Sequence, residues 1–349
     1  MSNSREQLLP WLIERLQLLV ETPSPTGFTH KVEAVLLQEL KDLGLEPWQA
    51  SKGTVFCRLN PEAEGDGILL SAHIDTLGLM VRSVKSNGRL RATLLGGFPL
   101  QYVEQENVTV WTRDGQAYEG TFRMNDPAAH GRRDLGTAER SDSSMEIVLD
   151  QRTASKDETT ALGIQAGDPV SLDPRFRLAG DGYIKSRHLD DKASSAVLLS
   201  LAKRFAAGNL TCSRPVTIMF TRYEEVGHGA AAGHPEGITD MIAVDMGVVA
   251  DDLETDEHKV SICAKDSGGP YNYELTTELI NIAKAEELHY AVDVYPFYGS
   301  DAGAALAAGH DYRHALIGPG VAASHGYERT HEDGLWNTFR LLEGYLKKA

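Results

Sequence analysis

The stretch GILLSAHID, residues 67–75, indicates the fold class of this chain. Its first six residues are apolar or small, and such an uninterrupted run is typical of a strand buried on both faces of a mainly parallel sheet. His73 and Asp75 come at the carboxyl end of this predicted strand. In open α/β sheets, ligand-binding groups lie beyond the carboxyl ends of the strands. The stretch therefore predicts a central strand and a functional edge of the sheet.

Three more apolar segments bring polar side chains to the same edge. Glu224 and Glu225 follow one predicted strand, Asp245 follows the next, and a loop rich in Gly and Pro leads from a fourth strand to His325. Carboxylates directly after buried strands are costly unless they are paired or bind a metal. This shared position is hard to explain by burial alone, and it predicts a metal site.

Each group has an ordinary structural alternative when it is taken alone. Glu224 and Glu225 could form a solvated turn, and Asp190 with Asp191 could be a helix N-cap and its first acidic residue. Asp245 by itself carries almost no information. The order of these residues and their common position favour the functional interpretation.

The chain around these residues predicts an α/β fold with a doubly wound, mainly parallel sheet. Between residues 77 and 177 the pattern changes to short alternating segments separated by turn signals, which predicts an inserted, small, all-β, barrel-like domain. The catalytic domain would then comprise residues 1–76 and 178–349, and the polar stretch 125–144 would be a long loop. Helices are predicted at 6–21, 29–43, 192–205, 273–288, 301–308 and 335–347.

Composition limits the classes of partner and the compartment. The 349 residues carry a formal net charge of −16, which argues against nucleic acid and anionic membranes as partners. No apolar run approaches the length of a membrane span, and no signal segment is evident, so a cytoplasmic location is expected. The three cysteines are far apart in sequence and are expected to be reduced.

The residue types suit a pair of divalent metal ions. Two neighbouring metals need a shared carboxylate and further ligands of their own, and imidazole with carboxylate suits Zn²⁺ and similar cations. One of the two adjacent glutamates can bind a metal while the other acts as the general base. Asp75 is well placed to orient the imidazole of His73.

These motifs resemble metallopeptidase family 42, the tetrahedral-assembly (TET) aminopeptidases, which include glutamyl and leucyl aminopeptidases. The matching motifs span nearly the whole chain and occur in the same order as in the family. The motifs that carry it are SAHIDTLG at 71–78, GGF at 96–98, ENV at 106–108, LGI at 162–164, LDDKA at 189–193, EEVG at 224–227, GSDAG at 299–303, and Asp245 and His325.

The resemblance implies a role for each site residue. His73 and Asp245 would hold one metal, Glu225 and His325 the other, and Asp190 would bridge the two. Glu224 would be the general base for a water shared by the metals, and Asp75 would support the catalytic site from outside the ligand shell. The Asp190–Asp191 peptide would be cis.

The resemblance also implies a function. The chain would remove N-terminal residues from peptides with two divalent metals per subunit, expected to be Zn²⁺, with Co²⁺ or Mn²⁺ possible. It would form homo-oligomers, from dimers to dodecamers, through the β domain at 77–177.

Several departures suggest a divergent subgroup. The family usually has Arg where Lys192 stands, Gln at Tyr223, Thr at Ser300, a small residue at His188, and a different run around 323–331. These changes leave open a deacylase or amidase acting on a small N-modified metabolite or dipeptide. A non-catalytic scaffold of the same fold is the more distant alternative. His331 could replace His325 as a ligand, whereas His228 is expected to be a pocket-wall or surface histidine rather than a ligand.

Overall fold

A computed structural model of the chain describes residues 4–349. Within this range, none of the helices combines the length and apolar character needed to cross a membrane. The helices are α1 (Ser4–Glu21), α2 (His30–Asp42), α3 (Lys156–Ala161), α4 (Leu189–Ala206), α5 (Tyr273–Ala285), α6 (Asp301–Ala307) and α7 (Glu332–Lys348).

The strands fall into three groups along the chain. The first group is β1 (Trp48–Gln49), β2 (Val55–Arg58) and β3 (Gly67–His73). The second is β4 (Gly78–Val84), β5 (Leu90–Leu95), β6 (Glu106–Trp111), β7 (Ala117–Met124), β8 (Met145–Leu149) and β9 (Pro169–Leu172). The third is β10 (Arg177–Ala179), β11 (Tyr183–Ser186), β12 (Val216–Thr221), β13 (Ile238–Val244), β14 (Gly247–Val249), β15 (Val260–Asp266), β16 (Gly269–Pro270), β17 (Tyr290–Val294), β18 (Arg313–Ala322) and β19 (Glu328–His331).

The first and third groups form one large mixed sheet. Its centre is the parallel block β12-β3-β13-β18, in which the predicted strand of GILLSAHID lies between β12 and β13. Antiparallel strands flank this block, with β2 beside β12 and β15 beside β18. The predicted α/β fold class is confirmed, and the antiparallel flanks make the whole sheet mixed rather than purely parallel.

Both faces of the sheet are covered, as a doubly wound fold requires. Side chains alternate between the two faces of the sheet along a strand. Ile68 and Leu70 of β3 therefore pack in the core on one face, which is formed with α1, α2, α4, α5 and α7. Leu69 packs in a second core on the other face, which includes α6. All three side chains are fully buried. This two-sided burial explains why β3 has no polar residue before Ser71.

The second group of strands closes into a separate six-stranded barrel in the order β4-β5-β8-β7-β6-β9. Its neighbouring strands are antiparallel, and its interior holds an apolar core of its own. The predicted inserted barrel is confirmed. Residues 125–144, within the described range, contain no helix or strand, in agreement with the predicted long loop.

A buried ion pair joins the barrel to the sheet. Glu106 on β6 accepts hydrogen bonds from Arg187, at 3.0 Å from Nε and 2.6 Å from Nη2. Both residues are buried, and Arg187 lies just before α4. The barrel is therefore attached close to the segment that carries Asp190.

Candidate active site

Four strand ends and one helix start supply the predicted site residues. β3 ends at His73, a short turn after β12 carries Glu224 and Glu225, and Asp245 directly follows β13. His325 lies in the loop between β18 and β19, with a left-handed backbone (φ 65°). Asp190 is in the first turn of α4, and its peptide bond to Asp191 is cis, as the resemblance implied.

Asp190 lies at the centre of the group. Its Oδ1 is 3.0 Å from His73 Nε2, and its Oδ2 is 3.5 Å from His325 Nε2. The Nε2 atom of His325 is also 3.7 Å from Glu225 Oε2. The two oxygens of one carboxylate thus face two different imidazoles.

Asp245 completes the side of the group that contains His73. Ligand atoms of His73, Asp190 and Asp245 all lie within 4.8 Å of one another, and the three residues are buried. Asp245 also accepts a hydrogen bond at Oδ1 from the N–H of Met246, at 2.6 Å. The structure brings all five predicted ligand residues together.

The outer nitrogen of each imidazole contacts a backbone carbonyl. His73 Nδ1 is 2.9 Å from the backbone oxygen of Asp75, and His325 Nδ1 is 2.6 Å from that of Gly97. Such contacts are typical of metal-binding histidines, because they fix the ring and leave the other nitrogen free to bind. Gly97 belongs to the barrel segment between β5 and β6, so the barrel supports one predicted ligand.

Asp75 orients His73 mainly through its backbone, since its carboxylate is engaged elsewhere. The carboxylate lies 3.7 Å from His73 Nδ1 and accepts hydrogen bonds from the N–H groups of Glu224 and Glu225 and from the hydroxyl of Thr26. Asp75 thus connects the end of β3 to the turn that carries both glutamates.

The carboxylates are crowded in a buried space. Burial, together with neighbouring negative charge, raises the pKa of Asp245 to about 7 and raises the pKa values of Glu224 and Glu225 well above their usual range. Glu225 Oε1 and Asp191 Oδ1 are buried without a hydrogen-bond partner. A divalent cation would offset this charge, and the donor set of imidazole and carboxylate suits Zn²⁺-like ions. The residues present therefore fit the metals that the resemblance implies.

Comparison with known proteins identifies the family. The model of the family described as M42 glutamyl aminopeptidase matches residues 53–341. The chain belongs to this family. It is accordingly an enzyme of the aminopeptidase type, and neither the deacylase nor the scaffold alternative is favoured.

Relatives and solved structures agree with this assignment. The chain is 41% identical over 335 residues to the candidate aminopeptidase YhfE of Bacillus subtilis, covering 96% of this chain and 97% of that protein. The fold is similar to aminopeptidase APDkam598 of Desulfurococcus kamchatkensis (TM-score 0.87, 21% identity, 98% and 96% of the two chains). It is also similar to the Pyrococcus horikoshii TET1 peptidase, which can assemble into a tetrahedron or a large octahedral shell (TM-score 0.85, 23% identity, 97% and 100%).

Glu328 is a site residue that sequence analysis of this M42 chain missed. Its buried carboxylate accepts the N–H of His325 at 3.0 Å and the N–H of Asp190 at 3.2 Å. It therefore holds the backbone of two predicted ligands at once. Because these contacts are made to backbone groups, no spacing of residue types could have indicated them.

The departures from the usual M42 pattern surround the site. Lys192 is fully buried and donates to Ser24 Oγ at 2.7 Å, and burial lowers its pKa to about 7. His188 is also buried and has a left-handed backbone (φ 68°). Tyr223 stacks on His228 with ring centroids 5.0 Å apart. Neither of these two rings lines the cleft at the site.

His331 does not reach the M42 site. Its Nδ1 accepts a hydrogen bond from the N–H of Asp333 at 3.0 Å, so that His331 caps α7, and its Nε2 is 2.5 Å from the backbone oxygen of Asp181. Both ring nitrogens of His331 therefore contact groups outside the proposed ligand set, and His325 lines the cleft at the site whereas His331 does not, which favours His325 as the ligand.

The site opens into a cleft of about 520 Å³. Residues of the loop before α6 and of α6 itself form its far wall, including Phe297, Tyr298, Ser300, Asp301 and Ala304. Phe297 is 95% exposed at this wall. Among the described residues that line the cleft, none is a lysine or an arginine, and six are acidic.

Proposed function

We propose that this chain is a two-metal aminopeptidase that removes N-terminal residues from short peptides. The observation that supports it best is the carboxylate of Asp190, whose two oxygens face His73 and His325 separately. A carboxylate in this arrangement can bridge two cations, which is the shared ligand that two-metal hydrolases need.

The ligand assignment follows from proximity. His73 and Asp245 would hold one ion, Glu225 and His325 the other, and Asp190 both. Two bound divalent ions would polarise the scissile carbonyl and lower the pKa of a water molecule. The side-chain chemistry suits Zn²⁺, with Co²⁺ and Mn²⁺ as alternatives.

Glu224 would act as the general base for the attacking water. Its Oε2 is 3.8 Å from His73 Nε2, and the residue lines the cleft while remaining mostly buried. In this position a carboxylate oxygen of Glu224 can accept the proton of the attacking water and pass it to the leaving amine. The N–H of Glu224 is tied to Asp75, which limits movement of the base.

The charge of the cleft supports action at a free amino terminus. Its described lining holds neither lysine nor arginine, and three of its six carboxylates, those of Glu224, Asp266 and Asp301, remain outside the proposed metal-ligand set. An ammonium group is attracted to such a lining, whereas a peptide carboxylate is repelled by it. The proposal therefore predicts exopeptidase action at the N-terminal residue.

The Glu224→Gln variant tests this mechanism. We expect kcat to fall at least ~100-fold, because general-base catalysis typically contributes 10²–10⁴-fold, while the metal content stays unchanged. Hydrolysis of aminoacyl-p-nitroanilides and the metal content of the same sample are measured, with the exposed Glu62→Gln as the matched control. Near-normal turnover in Glu224→Gln would show that another group is the base.

Metal identity and substrate preference need a separate experiment. The apoprotein is reloaded with Zn²⁺, Co²⁺ or Mn²⁺ and assayed on p-nitroanilides that differ in the N-terminal residue and on the same compounds with a blocked amino group. Activity on the free amines alone is expected. Hydrolysis of the blocked compounds only would contradict the aminopeptidase proposal.

Assembly and location belong to the same proposal. The barrel formed by β4–β9, within the proposed β domain at 77–177, is the expected oligomerisation module, in line with the shells formed by the TET1 peptidase. Size-exclusion chromatography with light scattering of the purified chain tests this, and a monomer at micromolar concentration would contradict it. The three cysteines are free, which is typical of reducing compartments and supports a cytoplasmic location.

A further inference from the structure

A second group of metal-binding side chains lies outside the catalytic cleft. His258 precedes β15, His331 ends β19, and Asp333 is in the first turn of α7. One ligand atom from each residue lies within 4.8 Å of the others. None of the three residues lines the cleft, and the proposed mechanism uses none of them.

The distances in this group match a tetrahedral metal site. Asp333 Oδ2 is 3.5 Å from His258 Nδ1 and 3.3 Å from His331 Nδ1. Two ligand atoms at tetrahedral positions, each about 2.1 Å from a Zn²⁺ ion, are separated by about 3.4 Å. A single ion could therefore contact all three atoms with little movement of the side chains.

The outer nitrogens of both imidazoles already have partners. His331 Nε2 is 2.5 Å from the backbone oxygen of Asp181, and His258 Nε2 is 3.2 Å from the hydroxyl of Tyr183. Metal-binding histidines typically make such a contact with the ring nitrogen that does not bind the metal. The His331 ring, which donates to a carbonyl at Nε2, presents the lone pair of Nδ1 towards Asp333.

The carboxylate of Asp333 is shared between two sets of neighbours. Its Oδ1 accepts a hydrogen bond from Arg5 of α1, and its Oδ2 faces the two imidazoles. The carboxylate is therefore held by Arg5 through one oxygen and has the other directed at the histidines.

We propose that His258, His331 and Asp333 form a third metal site, which binds a transition-metal ion of the Zn²⁺ class. Two imidazoles and one carboxylate favour Zn²⁺, Ni²⁺ or Cu²⁺ over Mg²⁺ and Ca²⁺, which prefer oxygen ligands. The side chain of His258 is 38% exposed and that of Asp333 32% exposed, so the ion and its remaining water ligands can enter from solvent.

Binding at this site would have a structural effect. The ion would join the loop before β15 to the start of α7, and through the partners of the two imidazoles it would fix the residues around β11. The N–H of Asp333 now donates to His331 Nδ1. Because a bound ion would replace this hydrogen bond, its affinity should be lower than that of ions in the catalytic cleft.

The test compares metal binding by untagged wild-type protein and His258→Gln. Both proteins are dialysed to equilibrium against Zn²⁺ over a range of concentrations, and bound metal is counted by mass spectrometry. We expect the wild type to bind one more Zn²⁺ per chain than His258→Gln at saturation. His289→Gln, at an exposed histidine outside the group, should bind as much Zn²⁺ as the wild type.

Thermal unfolding gives a second measurement that does not depend on catalysis. In EDTA the wild type and His258→Gln should unfold at similar temperatures, because the replaced side chain is partly exposed. Added Zn²⁺ should raise the Tm of the wild type more than that of His258→Gln, and Asp333→Asn should weaken the extra binding step at least tenfold. Equal Zn²⁺ stoichiometry and equal Tm increases in wild type and His258→Gln would overturn the proposal.

Discussion

The backbone N–H of Glu224 donates a hydrogen bond to the carboxylate of Asp75, with 3.1 Å between the nitrogen and Oδ1. The two residues are 149 positions apart in sequence and are brought together by the parallel pairing of β3 with β12. This contact fixes the proposed base relative to the end of the strand that carries His73. The other oxygen of Asp75 accepts the N–H of Glu225, so this role requires a carboxylate that accepts hydrogen bonds at both oxygens.

Replacing Asp75 by Asn should reduce activity without unfolding the protein. The amide would present a donor to groups that are themselves donors, so the turn carrying Glu224 would shift. Supporting residues of this kind typically contribute 10- to 100-fold to activity or metal affinity, and we expect kcat to fall by about that factor. Steady-state kinetics of Asp75→Asn and of the exposed Asp66→Asn check this; equal kcat values would contradict the role of Asp75.

Glu328→Gln should weaken metal binding more than it weakens folding. Both oxygens of Glu328 accept backbone N–H groups of predicted ligands, and the variant replaces one oxygen with an amide donor. The segments that carry Asp190 and His325 would then separate slightly, and metal affinity should fall about 10- to 100-fold. Competition with a fluorescent chelator measures the affinity. The exposed Glu139→Gln serves as the control, and an unchanged dissociation constant in Glu328→Gln would show that the contact is unimportant.

Gly318→Ala should destabilise the fold at the site. An added Cβ at Gly318 would lie 1.4 Å from the backbone oxygen of Asp245, so β18 and the end of β13 would have to move apart. Overpacking typically costs about 1–3 kcal/mol, and we expect at least this loss in the free energy of unfolding, together with weaker metal binding. Urea denaturation measures it. Gly136→Ala, where the added atom meets nothing within 4 Å, should be nearly neutral, and equal stability of the two variants would refute the close approach.

Asp240 should give a pH-dependent contribution to stability. It is fully buried and pairs with Arg214 at 2.6 Å and with Arg313 at 2.6 Å. Burial opposes its charge, but the two guanidinium groups prevail and lower the pKa of Asp240. A carboxyl group with a lowered folded-state pKa stabilises the protein above its unfolded-state pKa, about 3.9, and loses this effect as the pH falls through the folded-state value.

The Asp240→Asn variant makes this contribution measurable. Breaking a buried pair costs on the order of 3 kcal/mol, so the variant should be less stable than wild type by about that amount at pH 7. The difference should shrink as the pH is lowered from 5 towards 3. Urea titrations at several pH values, with the exposed Asp311→Asn as the control, test it. A difference that stays constant with pH would rule out the ionic contribution.

The central part of the fold was predictable because its signals are local. The apolar run before His73, the carboxylates after two other strands and the loop leading from a fourth strand to His325 place four chain segments at one sheet edge, since parallel strands share their direction. The turn signals likewise predicted the barrel. These regular, alternating patterns need no knowledge of distant contacts.

The antiparallel flanks and the supporting contacts were not predictable in this way. The flanking strand β15 ends in the charged residues Lys265 and Asp266, and the short strand β19 is defined by its pairing with β11. Glu328 and Tyr298 support the site through backbone groups, the latter by donating to the carbonyl of Met246 at 3.0 Å. Such contacts form only when the tertiary fold brings distant segments together, so the spacing of residue types in the sequence does not predict them.

The contact between His325 and the carbonyl of Gly97 has a consequence for attempts to simplify this enzyme. A miniature version trimmed of its barrel would still encode every proposed metal-binding side chain. It would nevertheless lose the acceptor that aligns one of those imidazoles, along with the anchor that Glu106 provides for Arg187. The inserted barrel should therefore be treated as a component of the catalyst. An exchange of barrels between relatives should include the loop between β18 and β19, because that loop carries His325.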